Sequence, residues 1–560
     1  MKRYWTIGLL SCCAWLGSAS AQTADELINA GKNTDNVPVQ GMGYDLKNYS
    51  PLKQINKSNV KRLVPVWAIS LMNIHGETAQ PTIYNGVMYV VNATQTFAID
   101  VATGQQIWRT EVQWAPDAAA KACCGVTARG TATIYNGKLF RVTLDNHVLA
   151  LDLKTGKEIW KQKFADHKEG YTATSAPLIA NGVVITGMAG GEFTTRGFLN
   201  GWDPETGKHL WRRYTVPAPG EPGSETWPKD SDAYKQGGAP TWRSGAYDPE
   251  LDLVYWGTGN PAPWTPGSRN GLDGLYASTL LAIRPKTGEI VWHYQYTPND
   301  VWDVDGTDEP VLANITFEGK PRKVLFQFNK NGFAYTIDRT NGKLLAAHPF
   351  TRVNWASRID LTTGRPVVNA ELYDQIVKGE EVSVYPQRGV NAVPIAFNPN
   401  TGLAYTSSWN IPRIFKIAPP TGKPQVIGQR STGTIARAYV PKPGEVVGHH
   451  IAFDPITGKK KWEIPLLDRA NSAGMLATGG GLLFTGSVEG KFLALDEETG
   501  KTLWEFQTSS GINATAVTYT HKGRQYVSIA SGIGGNSARA MSRGGVPLGG
   551  SMWTFALMPD

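Results

Sequence analysis

Cysteine is scarce in this sequence, with only four among 560 residues. Cys12 and Cys13 lie near the amino terminus, and Cys123 and Cys124 stand side by side in the segment KACCGVTARG. None of the four belongs to a CxxCH motif, through which a c-type haem is attached. The sequence therefore excludes a covalently attached haem in this chain, and it raises the question of what two adjacent cysteines do.

Charge is also sparse, and long apolar runs are missing. Only 18% of the residues are charged, the formal net charge is +8, and the basic residues are scattered. A nucleic acid is therefore not an expected partner, and an acidic protein is only weakly indicated. Beyond the amino terminus no apolar run is long enough to cross a bilayer. We expect no membrane span.

The first 21 residues have the pattern of a targeting segment. MKRYWTIGLLSCCAWLGSASAQ has a basic tip, a short apolar run and the small residues Ala-Ser-Ala before Gln22. This pattern is typical of a removable secretory signal. A lipoprotein signal that ends at Cys12 is the alternative, although its apolar run would be very short. We expect residues 22–560 to be exported to the periplasm, where a disulfide can persist.

The abundant residues indicate a turn-rich protein made of strands. The chain has 61 Gly, 35 Pro and 19 Trp. This composition suits an all-β fold better than a helical one. No Ser/Pro-rich linker or charge run divides the chain, so we expect residues 22–560 to form a single domain.

A short pattern recurs along the chain and sets its organisation. The first copy, AIDVATGQQIW, begins with a small residue and ends ten positions later in Trp. Further clear copies occupy residues 150–160, 201–211, 282–292, 452–462 and 494–504. Degenerate copies occupy residues 336–346 and 416–423. Eight copies spread over the whole length indicate a repeat architecture.

Each copy predicts a strand, a turn and a second strand. The Asp side chain can accept hydrogen bonds from the turn, and the Gly tolerates a positive φ. The small residue leaves room for an indole from a neighbouring unit, so the Trp is expected to join adjacent sheets. Upstream segments such as residues 80–92 and 175–187 are predicted to form hairpins with an Asn-Gly turn. We therefore predict an eight-bladed β-propeller, with residues 552–558 pairing with early strands to close one blade.

Function has to come from the segments that do not repeat. Four of these are CCGVTARG, GMAGGEF (187–193), GNPAPW (259–264) and TPNDVWDVDG (297–306). With the repeats, and in this order, they make the sequence similar to the pyrroloquinoline quinone (PQQ)-dependent alcohol dehydrogenases, the quinoprotein family of methanol and ethanol dehydrogenases. The resemblance covers nearly all of the mature chain. It implies oxidation of an alcohol to an aldehyde or ketone by hydride transfer to PQQ.

The resemblance also implies a role for the adjacent cysteines. In the family, cysteines at the positions of Cys123 and Cys124 form a disulfide that lies against one face of PQQ, and a tryptophan, here Trp242, lies against the other. Two reduced or incidental thiols are the alternative. The positions that match the family's PQQ contacts are Glu77, Cys123, Cys124, Arg129, Thr174, Gly190, Gly191, Trp242, Lys330 and Asn391.

A metal site is implied next to the cofactor. Glu192, Asn260 and Asp303 match the family's ligands, which are hard oxygen donors of the kind that calcium prefers. Asp303 also matches the catalytic base. Asp305 is an addition, and lanthanide-dependent members of the family carry an aspartate at that position. Three carboxylates favour a trivalent ion over calcium, because it neutralises them better. The alternative is that Asp305 only begins an Asp-Gly turn.

The expected substrate follows from residues that are small in this chain. Short-chain alcohol dehydrogenases of the family carry tryptophans around the reactive face, where this sequence has Ala392, Ser472, Asn536 and Ala538. Such replacements vacate volume, so we expect a bulky or secondary alcohol. Alternatively, residues 539–550 fold in and fill the space.

The electron acceptor is expected to be a separate c-type cytochrome, because this chain has no haem attachment site of its own. Two other classes stay open. A calcium-dependent alcohol or sugar dehydrogenase of the same family would have no use for Asp305. A non-enzymatic propeller scaffold would have no use for CCGVTARG or WDVDG.

Overall fold

The computed structural model describes residues 22–123, 125–126, 128, 130, 132–229, 231–419, 426–467, 473–534 and 545–558. Almost all regular structure in these ranges is β-strand. The α-helices are α1 (Ala24–Ile28) and α2 (Ala370–Val377). Short 3-10 helices occupy Ala30–Lys32, Gln40–Met42, Val60–Arg62, Pro116–Lys121, His167–Glu169, Gly191–Phe193, Ser224–Thr226, Asp232–Gln236 and Pro266–Ser268.

In the described ranges no helix is both long and apolar enough to pass through a membrane.

The first strands, β1 (Tyr49–Ser50) and β2 (Leu63–Ser70), join sheets formed late in the chain. After β2 come three antiparallel sheets that follow chain order. Their strands are β3 (Thr82–Tyr84), β4 (Val87–Val91), β5 (Gln95–Asp100), β6 (Gln106–Glu111); β7 (Thr133–Tyr135), β8 (Lys138–Val142), β9 (His147–Asp152), β10 (Glu158–Lys163); and β11 (Leu178–Ala180), β12 (Val183–Thr186), β13 (Phe198–Trp202), β14 (His209–Tyr214).

Two further sheets repeat this order. Their strands are β15 (Ala246–Asp248), β16 (Leu253–Gly257), β17 (Thr279–Ile283), β18 (Ile290–Gln295); and β19 (Val311–Phe317), β20 (Lys320–Phe328), β21 (Phe333–Asp338), β22 (Leu344–Pro349). A two-stranded sheet, β23 (Ala356–Ile359) with β24 (Pro366–Val368), follows before α2.

The next sheet is interrupted by an insertion. It consists of β26 (Ala396–Asn398), β27 (Leu403–Trp409), β30 (Val446–Phe453) and β31 (Lys460–Leu467). Between β27 and β30 the chain leaves to form β28 (Arg413–Ile417) and β29 (Thr434–Arg437), which join β25 (Val382–Val384) in a separate three-stranded sheet. We call this separate sheet the inserted sheet.

The last two sheets combine both ends of the chain. β1 pairs in parallel with β32 (Leu476–Thr478), which continues into β33 (Leu482–Gly486), β34 (Lys491–Asp496) and β35 (Thr502–Gln507). β2 pairs with β38 (Ser551–Leu557), beside β37 (Arg524–Ser531) and β36 (Val517–His521). The closing strand is thus opposite an early strand, as the sequence predicts. The described residues contain eight sheets with four or five strands.

The repeat copies form the hairpin between the third and fourth strands of their sheets. In the first copy, Ala98 lies directly opposite Trp108. The other clear copies pair Ala150 with Trp160, Gly201 with Trp211, Ala282 with Trp292, Ala452 with Trp462 and Ala494 with Trp504. A Cβ atom on Gly201 would lie 2.3 Å from Trp211. The small residue therefore makes room for the indole of its own copy, and our expectation of a neighbour's indole at this position is wrong.

Each indole nevertheless joins its sheet to the next one. Trp108 Nε1 donates to the Leu153 carbonyl at 3.1 Å, in the turn of the following copy. Its ring lies so close to Gly156 that a Cβ atom there would be 2.4 Å away. Equivalent bonds run from Trp67 to Val101, Trp160 to Pro204, Trp211 to Pro285, Trp462 to Glu497 and Trp504 to Leu63. The predicted joining role of the tryptophans is confirmed.

The two degenerate copies behave differently. In residues 336–346, Thr336 lies opposite Ala346, and the contact to the next sheet comes from His348, whose Nε2 is 3.0 Å from the Ile456 carbonyl. The prediction of a repeat at 416–423 is wrong for its first residues, which end β28 of the inserted sheet. Residues 420–425 of this copy lie outside the described ranges. The closing sheet has its tryptophan, Trp67, on β2, because the two chain ends share that sheet.

Candidate active site

A cavity of about 410 Å³ collects residues from segments that are far apart in the chain. Its wall contains most of the residues singled out by sequence: Cys123, Thr174, Gly190, Glu192, Trp242, Asn260, Asp303, Asp305, Lys330, Asn391 and Ala392. Gly191 follows in the 3-10 helix Gly191–Phe193. The remaining predicted residues Cys124, Arg129, Ser472, Asn536 and Ala538 lie outside the described residues.

The loop between β18 and β19 positions two of the acidic residues. Asp300 is buried and braces this loop, because its carboxylate accepts hydrogen bonds from the backbone N–H groups of Trp302 at 2.8 Å and Val304 at 3.0 Å. Burial raises the pKa of Asp300 to about 7. Asp303 has a φ of +61°, a left-handed conformation that is uncommon for residues other than glycine. The brace therefore holds Asp303 in a conformation that presents its side chain to the cavity.

Two cations balance the carboxylates of this loop. Lys330 Nζ lies 2.9 Å from Asp305 Oδ2 and 3.7 Å from Asp303 Oδ1. Arg413 of β28 forms an ion pair with the other oxygen of Asp303. Burial alone would lower the pKa of Lys330, but Asp303 and Asp305 raise it above its ordinary value. Lys330 is therefore a fixed positive charge in the wall.

Asp305 contacts residues that are distant in sequence rather than its own turn. Its Oδ1 accepts a hydrogen bond from the backbone N–H of Asn260 at 3.0 Å and lies 3.5 Å from Trp242 Nε1. A Cβ atom on Gly259 would lie 2.5 Å from the same oxygen. The side chain is thus built into the junction of three loops, and glycine at 259 makes room for it.

The chemistry of the wall is compatible with a hard cation and a polar cofactor. Glu192, Asn260, Asp303 and Asp305 offer only oxygen atoms as side-chain acceptors, the donor type that calcium and similar ions take. Tight groups of three or more His, Cys, Asp or Glu side chains are absent from the described part of the chain. In the structure, Asp303 and Asp305 turn toward Lys330 and Arg413, so an ion would compete with these cations for the carboxylates.

Several buried acceptors in the wall have unmet hydrogen-bonding capacity. Within the described residues, Thr174 Oγ1, Asn391 Oδ1, Asn513 Oδ1 and Glu309 Oε2 have no hydrogen-bond partner. Buried polar atoms normally find a partner in the protein, in water or in a ligand. Their position around one cavity fits a ligand that has several polar groups.

Glu77 does not belong to the cavity wall. Its buried carboxylate accepts hydrogen bonds from Asn73 at 2.8 Å and Asn92 at 3.3 Å, and Gly550 lies against it. Burial raises the pKa of Glu77 to about 8, although both amides act in the opposite direction. Its assignment to the cofactor stays a prediction.

Sequence reasoning missed several charged residues of the wall. Arg243 and Glu309 form a buried ion pair, and Arg413 pairs with Asp303. Arg388, Arg430 and Arg437 complete the basic set of the cavity. None of these residues belongs to a motif that carries the resemblance, and isolated arginines in a sequence carry no signal of a shared location.

The chain is similar to one family of known proteins in both sequence and structure. The family described as "PQQ: Glucose/ethanol/alcohol dehydrogenase, beta-propeller domain" matches residues 39–353 and 463–527. The quinoprotein alcohol dehydrogenase PedH of Pseudomonas putida is 38% identical, over 98% of this chain and 96% of the relative. The lanthanide-dependent methanol dehydrogenase of Methylacidiphilum fumariolicum is 37% identical, over 94% of this chain and 90% of the relative.

Among solved structures, a europium-containing methanol dehydrogenase superposes with a TM-score of 0.88 at 33% identity, over 95% of this chain and all of that chain. A quinohemoprotein alcohol dehydrogenase from Comamonas testosteroni superposes with a TM-score of 0.85 at 33% identity, over 96% of this chain and 85% of that chain. These similarities confirm the predicted all-β propeller fold.

Proposed function

Because the chain belongs to the family of PQQ-dependent alcohol dehydrogenases, we propose that it oxidises a bulky or secondary alcohol in the cavity described above. The product is the corresponding aldehyde or ketone. The observation that carries the proposal is the convergence of Trp242, Asp303, Asp305 and Lys330 on one cavity from separate loops. A propeller that served only as a scaffold would have no use for this arrangement.

The wall residues divide between the two bound groups. Cys123, Thr174, Trp242, Lys330 and Asn391 would contact PQQ, together with the predicted contacts Glu77, Cys124, Arg129, Gly190 and Gly191. Glu192, Asn260, Asp303 and Asp305 would hold the metal ion. When bound, PQQ supplies a two-electron acceptor for hydride, and the ion supplies a Lewis acid beside it.

Asp303 acts as the general base in this proposal. Its side chain is 17% exposed at the cavity and is flanked by Lys330 and Arg413. These cations orient the carboxylate, so that one oxygen can accept the hydroxyl proton of an alcohol when hydride leaves the carbinol carbon. The alcohol loses one hydride and one proton, which balances its oxidation to a carbonyl compound.

A lanthanide(III) ion is the proposed metal, with calcium as the alternative. Asp305 supplies a third carboxylate to the predicted ligand set, and a trivalent ion neutralises three negative charges more fully than a divalent one. Two similar proteins support the choice of a lanthanide. One is a lanthanide-dependent methanol dehydrogenase, and the other is a methanol dehydrogenase whose solved structure contains europium. Those properties belong to the relatives.

The domain organisation, the location and the electron acceptor are part of the same proposal. The eight four- or five-stranded sheets would be the eight blades of one domain over residues 22–560. Residues 1–21 would be a removed signal that directs the chain to the periplasm. A separate c-type cytochrome would accept the electrons, one at a time.

Reconstitution tests the proposal. Purified protein is given PQQ with either lanthanum or calcium, PQQ uptake is measured by equilibrium dialysis, and alcohol oxidation is followed with a small redox dye. We expect uptake of PQQ and turnover of bulky secondary alcohols that is greater with lanthanum. Failure to bind PQQ with either ion would refute the enzymatic role, whereas turnover with calcium alone would refute the lanthanide assignment.

A further inference from the structure

We propose that the preferred alcohol carries a carboxylate at a distance from its hydroxyl group, and that arginines at the mouth of the cavity, Arg388, Arg430 and Arg437, bind this carboxylate. The inference rests on the proposed function and specifies its substrate class. It comes from the position, exposure and charge of residues that the family motifs do not include.

The solvent exposure of the lining residues distinguishes the outer end of the cavity, its mouth, from the buried end, its floor. Asn260, Asp305 and Lys330 are 2%, 5% and 6% exposed and therefore form the floor. Arg430 and Arg437 are solvent-exposed, and both still line the cavity. An alcohol whose hydroxyl reaches Asp303 would extend its other end past these arginines as it leaves the floor.

The segment with Arg430 and Arg437 is fixed over the predicted metal-binding loops. The backbone N–H of Ser431 donates to the Glu192 carbonyl at 2.7 Å. At the other end, Trp264 Nε1 donates to Thr434 Oγ1 at 3.1 Å. Residues 431–434 therefore bridge the loop of Glu192 and the loop that follows Asn260. The arginines on either side of this bridge are held at the mouth by bonds near the reacting centre.

Arg437 lies in the inserted sheet, on the strand next to the one that carries Arg413. β29 pairs with β28, so that Arg437 lies opposite Ile414, the neighbour of Arg413. Arg413 is the ion-pair partner of Asp303. Arg388 lies on a different segment, with its guanidinium 4.6 Å from the centre of the Trp409 ring. This stacking holds the plane of the Arg388 guanidinium against the Trp409 ring.

The mouth has a surplus of positive charge. The cavity-lining residues of segments 387–394 and 413–438 include Arg388, Arg413, Arg430 and Arg437 and contain no acidic residue. Arg413 is neutralised by Asp303, and Arg437 is paired with Glu381 at 2.9 Å. Arg437 donates to the Glu381 carboxylate through both Nε and Nη2, but the pair is exposed, with side-chain exposures of 61% and 47%, so solvent screens it and a ligand carboxylate can compete for the guanidinium. No acidic residue of the described chain pairs with Arg430.

Two other uses of these arginines make different predictions. If they bound the carboxylates of PQQ, their removal would weaken cofactor uptake. If they formed the docking site of an acidic electron acceptor, their removal would affect turnover only with a protein acceptor. The position of Arg430 and Arg437 at the exposed end of the cavity favours the substrate, because PQQ is expected between Cys123 and Trp242.

The experiment uses the holoenzyme with PQQ, lanthanum and a small redox dye. The probes are 4-(hydroxymethyl)benzoate and its methyl ester, which differ in charge at the end remote from the hydroxyl. We expect kcat/KM to be at least about tenfold higher for the carboxylate, the effect of one charge-assisted hydrogen bond. Arg430→Gln and Arg437→Gln should each lower the carboxylate-to-ester ratio by about tenfold, mainly through KM. Arg358→Gln, at an exposed arginine outside the cavity, should leave the ratio unchanged.

The ratio is measured within each variant, so a general loss of folded protein cancels. An equal or higher kcat/KM for the ester in the unmodified enzyme would overturn the inference. So would a weaker PQQ affinity of the variants in equilibrium dialysis, which would assign the arginines to the cofactor. Failure to oxidise either probe or any neutral alcohol would instead refute the proposed function itself.

Discussion

Asp305 differs from its neighbour Asp303 in exposure and in partners, although only one residue separates them. Asp305 is almost fully buried, bonded to Lys330 and to the Asn260 backbone. Asp303 is more open and pairs with two cations, Lys330 and Arg413. This difference predicts distinct roles. Asp305 would add a negative charge to the proposed metal site, and Asp303 would contact the substrate.

Substitution of each aspartate should therefore have a different effect. Asp305→Ala should weaken lanthanum use much more than calcium use, because the loss of one anionic ligand costs a trivalent ion more Coulomb energy. Asp303→Ala should abolish turnover with either ion, because it removes the proposed base, which is also a proposed ligand. Activity and bound metal are measured after saturation with PQQ and one ion. Wild-type lanthanum affinity and activity in Asp305→Ala would show that Asp305 is only a turn residue.

Ala392 is the described member of the small residues expected around the substrate. It lines the cavity in a left-handed conformation, with φ of +58°. Ala392→Trp should restore the bulk that short-chain members of the family have, and should lower kcat/KM for a bulky secondary alcohol by about tenfold or more relative to ethanol. Parallel measurements with both alcohols give the ratio. An equal loss for both would contradict a role in size selection.

Glu77 should make stability depend on pH. Its folded pKa of about 8 exceeds the ordinary value of 4.5 because of burial. The neutral carboxyl therefore contributes stability that is fully present below pH 4.5 and is lost as the pH rises to about 8. In protein without PQQ, Glu77→Gln should remove this dependence, worth about 1.4 kcal/mol per pH unit between these limits.

Urea unfolding at pH 5, 6.5 and 8 measures that effect. Glu111→Gln, at an exposed glutamate, is the control and should follow the parent protein. If the difference in unfolding free energy between Glu77→Gln and the parent stays constant over this range, Glu77 is not a buried titrating group.

At the scale of elements, the contact between each tryptophan and the next turn glycine joins neighbouring sheets. A turn glycine can be required for its positive φ or for its contact with the indole. Comparison of Gly156 with Gly137 distinguishes these two requirements. Both have a positive φ, +70° and +72° respectively, but only Gly156 packs on Trp108. A Cβ atom on Gly137 would have no neighbour within 4 Å.

Gly156→Ala should accordingly cost more than Gly137→Ala. Both variants incur the strain of a left-handed conformation, about 1 kcal/mol, and Gly156→Ala adds the displacement of the Trp108 ring, about 1–3 kcal/mol more. Thermal and urea unfolding of the two variants provide the comparison. Equal destabilisation would mean that the indole can shift without cost and that the contact does not hold the sheets together.

At the scale of the whole molecule, closure depends on the pairing of β2 with β38. This pairing joins residues almost 500 positions apart, such as Leu63 and Leu557. Successive contacts, one made by His348 and the others by tryptophans, connect the sheets from β2 onward and return to Leu63 through Trp504. The chain ends therefore complete the network of contacts between sheets.

Deletion of Ser551–Leu557 should abolish cooperative thermal unfolding, because β2 and β37 would both lose their shared neighbour. Deletion of residues 22–28, a segment of the same length with helix α1, leaves every sheet intact and should lower Tm without loss of cooperativity. Calorimetry of both truncated chains tests this. A single sharp transition in the protein without β38 would show that closure is not required for folding.

Much of this molecule is determined locally, and that part could be predicted from sequence alone. The hairpins could be predicted because the Asp, the Thr-Gly pair and the terminal Trp of each copy lie within about ten residues of one another. The motifs around Glu192, Asn260 and Asp303 likewise identified residues that the fold brings to one cavity. The copy at 416–423 misled because the letters TGK alone do not determine which sheet a neighbouring strand joins.

Only the tertiary structure decided which distant residues meet. The pairing of Arg413 with Asp303, the contacts of Asp305 and the arginines at the cavity mouth depend on an inserted sheet that follows no repeat. Sequence periodicity reports which face of a strand is buried, and it carries no information on the through-space distance between charges on separate loops. Those distances follow from the closed arrangement of sheets, and they set the electrostatics of the site.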